Sequence, residues 1–270
     1  MLSPDIFEAR RGNITASSAH RMMAGWEAPK PPSDYPIPIY QWIEDNASKP
    51  LVGALKADGI IATGKEIDAA WKAYQFDQPP QGLLTYAEDL ACDELFDYDP
   101  STNFTSLHME NGNERELEAV ERLADETGLV FSKTGEDQIH IGAHWIGATP
   151  DGIVYDDLDL IETGCEVKCR TPLHHARQLL INDNESLKEH DFERYCQIQV
   201  ACHVTGAQHW YSANFNPFAK SDAHKLHYCV IERDDEFLEI FKQRAAVVFE
   251  HKQRFLDELN KLKEPMEQAA

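Results

Sequence analysis

Polar and apolar residues alternate most sharply at positions 165–169, which read Cys-Glu-Val-Lys-Cys. Successive side chains of a β-strand point to opposite sides, so a strand here places Glu166 and Lys168 on one face. The two cysteines and Val167 lie on the other face. The pattern predicts a strand with one charged face and one face in the core.

A tight turn is predicted just before this strand. Residues 149–152 read Thr-Pro-Asp-Gly, which is typical of a turn, and residues 153–155, Ile-Val-Tyr, read as a strand. The two strands form a hairpin, with the acids of residues 156–159 in its loop. Such a hairpin brings Asp151 opposite Glu166.

Helical spacing of apolar residues predicts most of the other elements. Between residues 112 and 128, Leu117, Val120, Leu123 and Ala124 recur at helical spacing, and Gly128 ends the helix. The prolines of residues 25–50 predict an irregular loop. Further helices are predicted at 15–24, 54–76, 171–180, 191–205 and 234–263, with a break at 79–82 and strands at 209–215 and 227–231.

This order of elements indicates an α/β fold with a mixed central β-sheet flanked by helices. With 270 residues, the chain can form one large domain, or one domain with an insertion. It has no apolar run near the ~20 residues of a membrane span, and its start lacks a basic flank and an apolar segment. We therefore expect a cytoplasmic protein with no membrane partner.

The net charge of −22 bears on the class of partner. A nucleic-acid-binding protein is expected to carry a basic patch, so bulk charge disfavours that function. Net charge is a sum, however, and a basic channel can lie within an acidic shell. Many acids fall at residues 86–99 and in the C-terminal helix. The charge therefore disfavours non-specific binding to DNA without excluding a threaded substrate.

The six cysteines form no C-x-x-C pair. Buried reduced thiols are favoured over disulfides, a zinc site or an iron–sulfur cluster. Two of these cysteines lie on the apolar side of the strand predicted at residues 165–169.

Asp151 and Glu166 are the candidate metal ligands. Both offer the hard oxygen donors that suit Mg²⁺ or Mn²⁺, whose remaining coordination is filled by water and a substrate phosphate. Lys168 then lies beside the metal, where it orients or helps to deprotonate a water molecule. The alternative is a solvated strand face, because Asp-Gly turns and Glu-x-Lys pairs are each common.

Two other segments carry candidate chemistry. Arg10 and Arg11 precede a helix start that Thr15 or Ser17 can cap, and free backbone N–H groups at such a start favour a phosphate. A simple surface helix with a hydroxyl cap is the alternative. On the helix at 112–128, one acid facing the hairpin would complete a metal site, the candidates being Glu114, Glu116, Glu118 and Glu121.

Four collinear segments together resemble the lambda exonuclease family. This family comprises phage-type alkaline exonucleases, or viral recombinase nucleases, within the PD-(D/E)xK restriction-endonuclease-like superfamily. The segments are residues 10–17 (Arg-Arg-Gly-Asn-Ile-Thr-Ala-Ser), 149–152 with 166–169, 197–199 (Gln-Ile-Gln) and 228–234 (Tyr-Cys-Val-Ile-Glu-Arg-Asp). The resemblance implies a single nuclease domain over 1–270 with a restriction-endonuclease-like core, a long insertion at about 25–110 and a C-terminal helix at about 234–263.

The resemblance also implies the site residues. Asp151, Glu166 and the carbonyl of Val167 would hold two Mg²⁺ ions, or Mn²⁺ in their place. Lys168 would position the attacking water, Gln197 would support the lysine or the water, and Glu116 matches a helix acid near the second metal. Arg10, Ser17 and Thr149 match the residues that read the 5′-phosphate of a DNA end.

The implied activity is 5′-to-3′ degradation of linear double-stranded DNA to 5′-mononucleotides, leaving a 3′ single strand. A homotrimeric ring around the duplex and a single-strand annealing partner for recombination are implied too. The alternatives are an endonuclease of the same superfamily and a non-catalytic module that binds DNA ends. One departure stands out: the family has an acid about ten residues before the turn aspartate, where this chain has Ile141. That ligand is absent, replaced by His140, or not needed.

Overall fold

The computed structural model describes residues 4–27, 35–96 and 107–261. The helices are α1 (Pro4–Arg10), α2 (His20–Met23), α3 (Ile37–Asn46), α4 (Val52–Ala57), α5 (Gly64–Asp77), α6 (Gln81–Leu95), α7 (Leu107–Thr127), α8 (Pro172–Gln178), α9 (Asn184–His190), α10 (Phe192–Thr205) and α11 (Asp235–Lys261). The strands are β1 (Ile14–Thr15), β2 (Ile141–Ala143), β3 (Ile146–Ala148), β4 (Gly152–Tyr155), β5 (Ile161–Lys168), β6 (His209–Phe215) and β7 (Leu226–Glu232).

The chain divides into two compact units, one of residues 1–24 and 85–270 and the other of residues 25–84. The smaller unit has its own apolar core, in which the side chains of Ile39, Ile43, Leu55, Ile67 and Ala70 are buried. That residues 25–110 are an insertion into a single nuclease domain stays a prediction, and part of that range, residues 28–34 and 97–106, lies outside the described residues.

Two predictions fail in the smaller unit. Residues 37–46 form helix α3 instead of irregular loop, because Pro36 precedes the helix and Pro38 lies in its first turn, where proline is tolerated. The helix predicted at 54–76 is two helices, α4 and α5. The chain leaves α4 at Asp58 and Gly59, and Gly59 has a φ of +76°, which breaks the helical path.

The larger unit contains a four-stranded sheet in the order β4-β5-β6-β7. Strands β5 and β6 are parallel, while β4 pairs with β5 and β7 with β6 in antiparallel fashion. A second sheet has the order β1-β3-β2, with β1 parallel to β3. The prediction of an α/β fold with mixed sheets flanked by helices is therefore confirmed.

Helices cover both faces of the four-stranded sheet. On one face, α7 packs its buried residues against Cys165, Val167, Ala213 and Phe215. On the other, the fully buried Arg194 of α10 donates to the Asn214 side chain on β6 at 2.8 Å. Successive side chains of β5 and β6 point alternately toward α7 and toward α10, so the charged side chains of β5 lie on the α10 side.

The cysteines follow the predicted pattern. Cys165 is buried in the core cluster, Cys169 packs against it, and all six thiols are free. No helix within the described ranges is both long and apolar enough to cross a bilayer.

Candidate active site

The hairpin of β4 and β5 holds the turn aspartate over the charged strand. Gly152 pairs with Cys165, so Asp151 comes opposite Glu166 in the register. The Asp151 amide donates to the Cys165 carbonyl at 3.2 Å, and the Val167 amide donates to Asp151 Oδ2 at 2.7 Å. The predicted hairpin and the pairing of the two acids are confirmed.

Lys168 and Glu166 form an ion pair on the same strand face. The Nζ atom of Lys168 lies 2.6 Å from Glu166 Oε1. Burial lowers the pKa of Lys168, but Glu166 and Asp151 outweigh burial, and the pKa is raised above its ordinary value. The ammonium therefore remains charged beside the two carboxylates.

A third carboxylate, that of Glu116, is linked to Asp151 through a glutamine. Gln138 follows a short 3-10 helix at Gly135–Asp137, and its Nε2 donates to Glu116 Oε1 at 2.7 Å and to Asp151 Oδ1 at 3.2 Å. Glu116, on α7, is thus the helix acid that the structure brings to the hairpin. The alternative Glu114 has its side chain outside the described part of the chain.

The three carboxylates repel one another. Burial, followed by the charges of Glu166 and Glu116, raises the pKa of Asp151 well above its ordinary value. Burial, followed by Glu166, raises the pKa of Glu116. Negative charge is therefore costly here unless a cation balances it.

Two of these carboxylates match the donors that Mg²⁺ prefers, and their role as metal ligands stays a prediction. No group of three or more His, Cys, Asp and Glu side chains within the described ranges is arranged to hold a metal ion by itself. Mg²⁺ is commonly held by one or two carboxylates, with water and a substrate phosphate as its other ligands. Asp151 and Glu166 supply such a pair, and Lys168 alone does not neutralise the three acids. The carbonyl of Val167 as a further ligand stays a prediction.

The N-terminal segment carries a second cluster of polar groups. Arg10 ends helix α1, and its Nη2 donates to Ser17 Oγ at 3.0 Å. Burial lowers the pKa of Arg10, opposed by the nearby charge of Glu166. The charge of Glu166 therefore reaches Arg10, and strand β1, which follows Arg10, pairs with β3, the strand that leads to Asp151.

The predicted helix cap is wrong in this segment. Residues Ala16–Ser18 form a 3-10 turn and α2 spans only His20–Met23, without a side-chain cap from Thr15. The Thr15 hydroxyl instead contacts Ser18 Oγ at 2.7 Å, because neighbouring hydroxyls compete for it. An anion here would be bound by the Arg10 and Ser17 side chains rather than by a helix dipole.

Thr149 lies two residues before the turn aspartate. Its Oγ1 is 3.1 Å from Nδ1 of His140. Burial, and then the positive charge of Arg10, lower the pKa of His140. His140 therefore contacts Thr149, and the charge of Arg10 reaches its ring. Its replacement of the absent acid stays a prediction.

Gln197 lies on the sheet-facing side of α10. It follows Arg194 by three residues, which puts the two on one helix face, and Arg194 binds Asn214, the register partner of Lys168. The Gln197 side chain is half-buried and makes no hydrogen bond within the described part of the chain. Its supporting role stays a prediction.

Sequence reasoning missed Gln138, which bridges two carboxylates. It named His140 only as a possible replacement for the acid absent at Ile141, and did not predict its contact with Thr149. Both lie in residues 138–140, an irregular stretch with no polar–apolar period and no motif spacing. The departure at Ile141 was the one signal that pointed to this stretch.

Comparison with solved structures shows related folds. The crystal structure of LHK-Exo in complex with dAMP gives a TM-score of 0.61 at 19% identity, covering 96% of this chain and 97% of that one. The structure of the alkaline exonuclease LHK-Exo from Laribacter hongkongensis gives 0.59 at 20% identity, covering 96% and 97%. A phage-related exonuclease from Haemophilus somnus 129PT gives 0.54 at 14%, covering 94% and 99%.

A comparison with curated proteins finds no significant match. The model of the YqaJ-like viral recombinase domain matches residues 70–208, which include all three carboxylates, Lys168 and Thr149. The resemblance drawn from the sequence is confirmed by this match and by the fold. Because the matched range is more than half of its length, the chain belongs to the YqaJ-like viral recombinase domain family.

Proposed function

We propose that this protein is a Mg²⁺-dependent exonuclease. It degrades linear double-stranded DNA in the 5′-to-3′ direction from 5′-phosphorylated ends and releases 5′-mononucleotides. The 3′ single strand that remains serves recombination by strand annealing, with an annealing protein as partner. The proposal includes a homotrimeric ring, a cytoplasmic setting and a single nuclease domain carrying residues 25–110 as an insertion.

One observation supports the proposal: an arginine–serine pair suited to an anion lies within electrostatic range of an acid–lysine group suited to a metal. The Arg10–Ser17 pair is close enough to Glu166 for their charges to interact, and Glu166 pairs with Lys168 at 2.6 Å. A strand whose terminal phosphate occupies the first group presents a nearby phosphodiester to the second. Such an arrangement suits cleavage near an end rather than within a strand.

The chain's own residues have distinct roles in this hypothesis. Asp151 and Glu166 hold the cations, with the Val167 carbonyl, and Gln138 keeps Asp151 and Glu116 in place. Lys168 orients the attacking water against the scissile phosphorus, and Gln197 supports it from α10. The bound metal supplies Lewis-acid stabilisation of the charge that develops on the phosphoryl oxygens.

The relatives support the choice of reaction. LHK-Exo and the phage-related protein are both described as exonucleases. LHK-Exo was crystallised with dAMP, a nucleoside monophosphate of the kind released in this reaction. The net charge of −22 supports the ring, because a closed ring keeps an acidic protein on DNA without high non-specific affinity.

Digestion of matched substrates tests the proposal. Purified protein with Mg²⁺ is given a linear duplex with 5′-phosphates, the same duplex with 5′-hydroxyls, and a covalently closed circle, each with and without chelator. We expect nucleotide release from the linear duplexes, faster from the phosphorylated one, none from the circle and none with chelator. Lys168→Ala and Asp151→Ala should abolish release.

The alternatives give different results. Cutting of the circle would identify an endonuclease. A protein that binds the phosphorylated ends but releases no nucleotide, and in which Lys168→Ala behaves like the parent, would be an end-binding module. Release of nucleotides from the phosphorylated duplex in the presence of chelator would contradict the metal site.

A further inference from the structure

The short β2–β3 hairpin places an imidazole beside the Thr149 hydroxyl. Ile141 pairs with Ala148 across the two strands, so the preceding His140 comes opposite Thr149. The two side chains meet, with 3.1 Å between His140 Nδ1 and Thr149 Oγ1. The contact follows from the register of the hairpin rather than from a chance surface encounter.

Gly147 makes room for this imidazole. A Cβ atom added to Gly147 would lie 2.2 Å from His140 Nε2 and 2.5 Å from Cε1, closer than any real contact. Gly147 also pairs with Thr15 on the parallel strand β1. The ring therefore lies over the backbone of the central strand, next to the segment that carries Ser17.

The charge near the imidazole of His140 is positive, which favours an anion. The one charged side chain that perturbs His140 in the described residues is Arg10, which also binds Ser17. The ring is half-buried, and its Nε2 makes no hydrogen bond in the described part of the chain. Three groups that can donate to an anion are therefore linked through this part of the fold. Arg10 binds the Ser17 hydroxyl, which contacts Thr15 at 3.3 Å. The imidazole lies over Gly147, the register partner of Thr15.

The contact with Thr149 is compatible with either tautomer of the imidazole, because a hydroxyl both donates and accepts. A neutral imidazole has one N–H donor and one acceptor nitrogen. If Nδ1 accepts the Thr149 hydroxyl proton, then Nε2 carries the hydrogen. The opposite tautomer would turn an acceptor lone pair at Nε2 toward an anion, which is repulsive, so a bound phosphate selects the Nε2–H form.

We propose that His140 is a specificity-determining residue of the terminal-phosphate pocket, donating from Nε2 to a phosphate oxygen. Thr149 acts through it, since the contact with the Thr149 hydroxyl orients the ring. This inference rests on the proposed function for the identity of the ligand, the 5′-phosphate of a DNA end. It assigns to His140 a contact that sequence analysis gave to Thr149.

Binding to DNA ends, measured with chelator present, tests the inference without turnover. Fluorescence anisotropy gives the Kd of a short duplex with a 5′-phosphate and of the same duplex with a 5′-hydroxyl, and their ratio is the phosphate preference. Loss of one hydrogen bond to a charged group corresponds to about a 10-fold to 100-fold change. His140→Ala should reduce the preference by about that factor.

Two conservative variants separate direct donation from support of Thr149. The amide nitrogen of Gln reaches the position of Nε2, so His140→Gln should retain most of the preference. The amide of Asn reaches only the position of Nδ1, so His140→Asn should lose it. Retention by Asn with loss in Gln would overturn the direct contact and leave His140 as a support for Thr149.

A matched control is available four residues away. His144 is exposed in the β2–β3 turn with a φ of +59°, a conformation that asparagine tolerates, so His144→Asn should keep the parent's preference. Equal preference in parent and His140→Ala, or no preference in the parent, would overturn the inference. If no nucleotide is released from any end yet binding still depends on His140, the nuclease proposal fails and this inference stands.

Discussion

Replacing Gln138 by leucine tests whether the carboxylate cluster is a metal site. The amide of Gln138 donates to Glu116 at 2.7 Å and to Asp151 at 3.2 Å, and leucine removes both bonds with little change of volume. Without them, the two acids lose their common orienting group and repel each other freely. Groups that orient metal ligands typically contribute 10-fold to 100-fold to metal affinity.

We therefore expect Gln138→Leu to weaken Mg²⁺ binding by about 10-fold to 100-fold. Isothermal titration measures the affinity directly. The rise in Tm with added Mg²⁺ reports it independently, because a ligand that binds only the folded state stabilises that state. The Mg²⁺ concentration for half-maximal nucleotide release should increase by a similar factor.

Gln243→Leu is the matched control. Gln243 is exposed on α11 and donates to one carboxylate, Glu239, at 3.3 Å, a surface contact worth a few tenths of a kcal/mol. It should leave Mg²⁺ binding unchanged. Unchanged or tighter Mg²⁺ binding in Gln138→Leu would refute the reasoning, since the amide would then compete with the metal rather than orient its ligands.

Three further predictions concern the free energy of unfolding, measured by urea denaturation with the dependence on urea concentration held the same for parent and variant. Asp191 is within 3.2 Å of the fully buried Arg194, so Asp191→Ala should lower the free energy of unfolding by about 3–5 kcal/mol. Asp222 pairs with Arg122 at the surface, so Asp222→Ala should cost at most about 1 kcal/mol. Similar losses in both variants would contradict this. A methyl added at Gly164 would lie 2.3 Å from Trp210, so Gly164→Ala should cost about 1–3 kcal/mol or more, while Gly53→Ala, with open space around it, should not destabilise. Asp234 accepts from the Phe237 amide at 2.9 Å, and although burial opposes it, this bond and the Tyr195 hydroxyl lower its pKa. The pKa of Asp234 in the folded state is therefore below its unfolded value. Above about pH 4, Asp234→Ala should lower the free energy of unfolding by about 1 kcal/mol, and this loss should vanish as the pH falls through the folded-state pKa. A loss that persists in acid would contradict the stabilising role of the Asp234 carboxylate.

The sequence predicted two elements next to the site at or within one residue of their observed bounds. Strand β6 was predicted at its observed bounds, and the helix predicted at 191–205 is α10. The charged face of β5 was also predicted, because side-chain alternation in a strand is a local property. The prediction failed at α3. Pro36 precedes this helix and Pro38 lies in its first turn, and these positions, rather than proline content, decide the structure.

For the site, the sequence determined Asp151, Glu166 and Lys168 and their placement on one hairpin, because a tight turn and a two-residue period bring them together within eighteen residues. Tertiary structure decided how groups from distant segments come near them. Arg10 comes from more than a hundred residues away, and Gln138 and His140 come from a stretch with no period. Contacts of this kind depend on strand register and on the packing of α7, and neither is encoded in the pattern of any single segment.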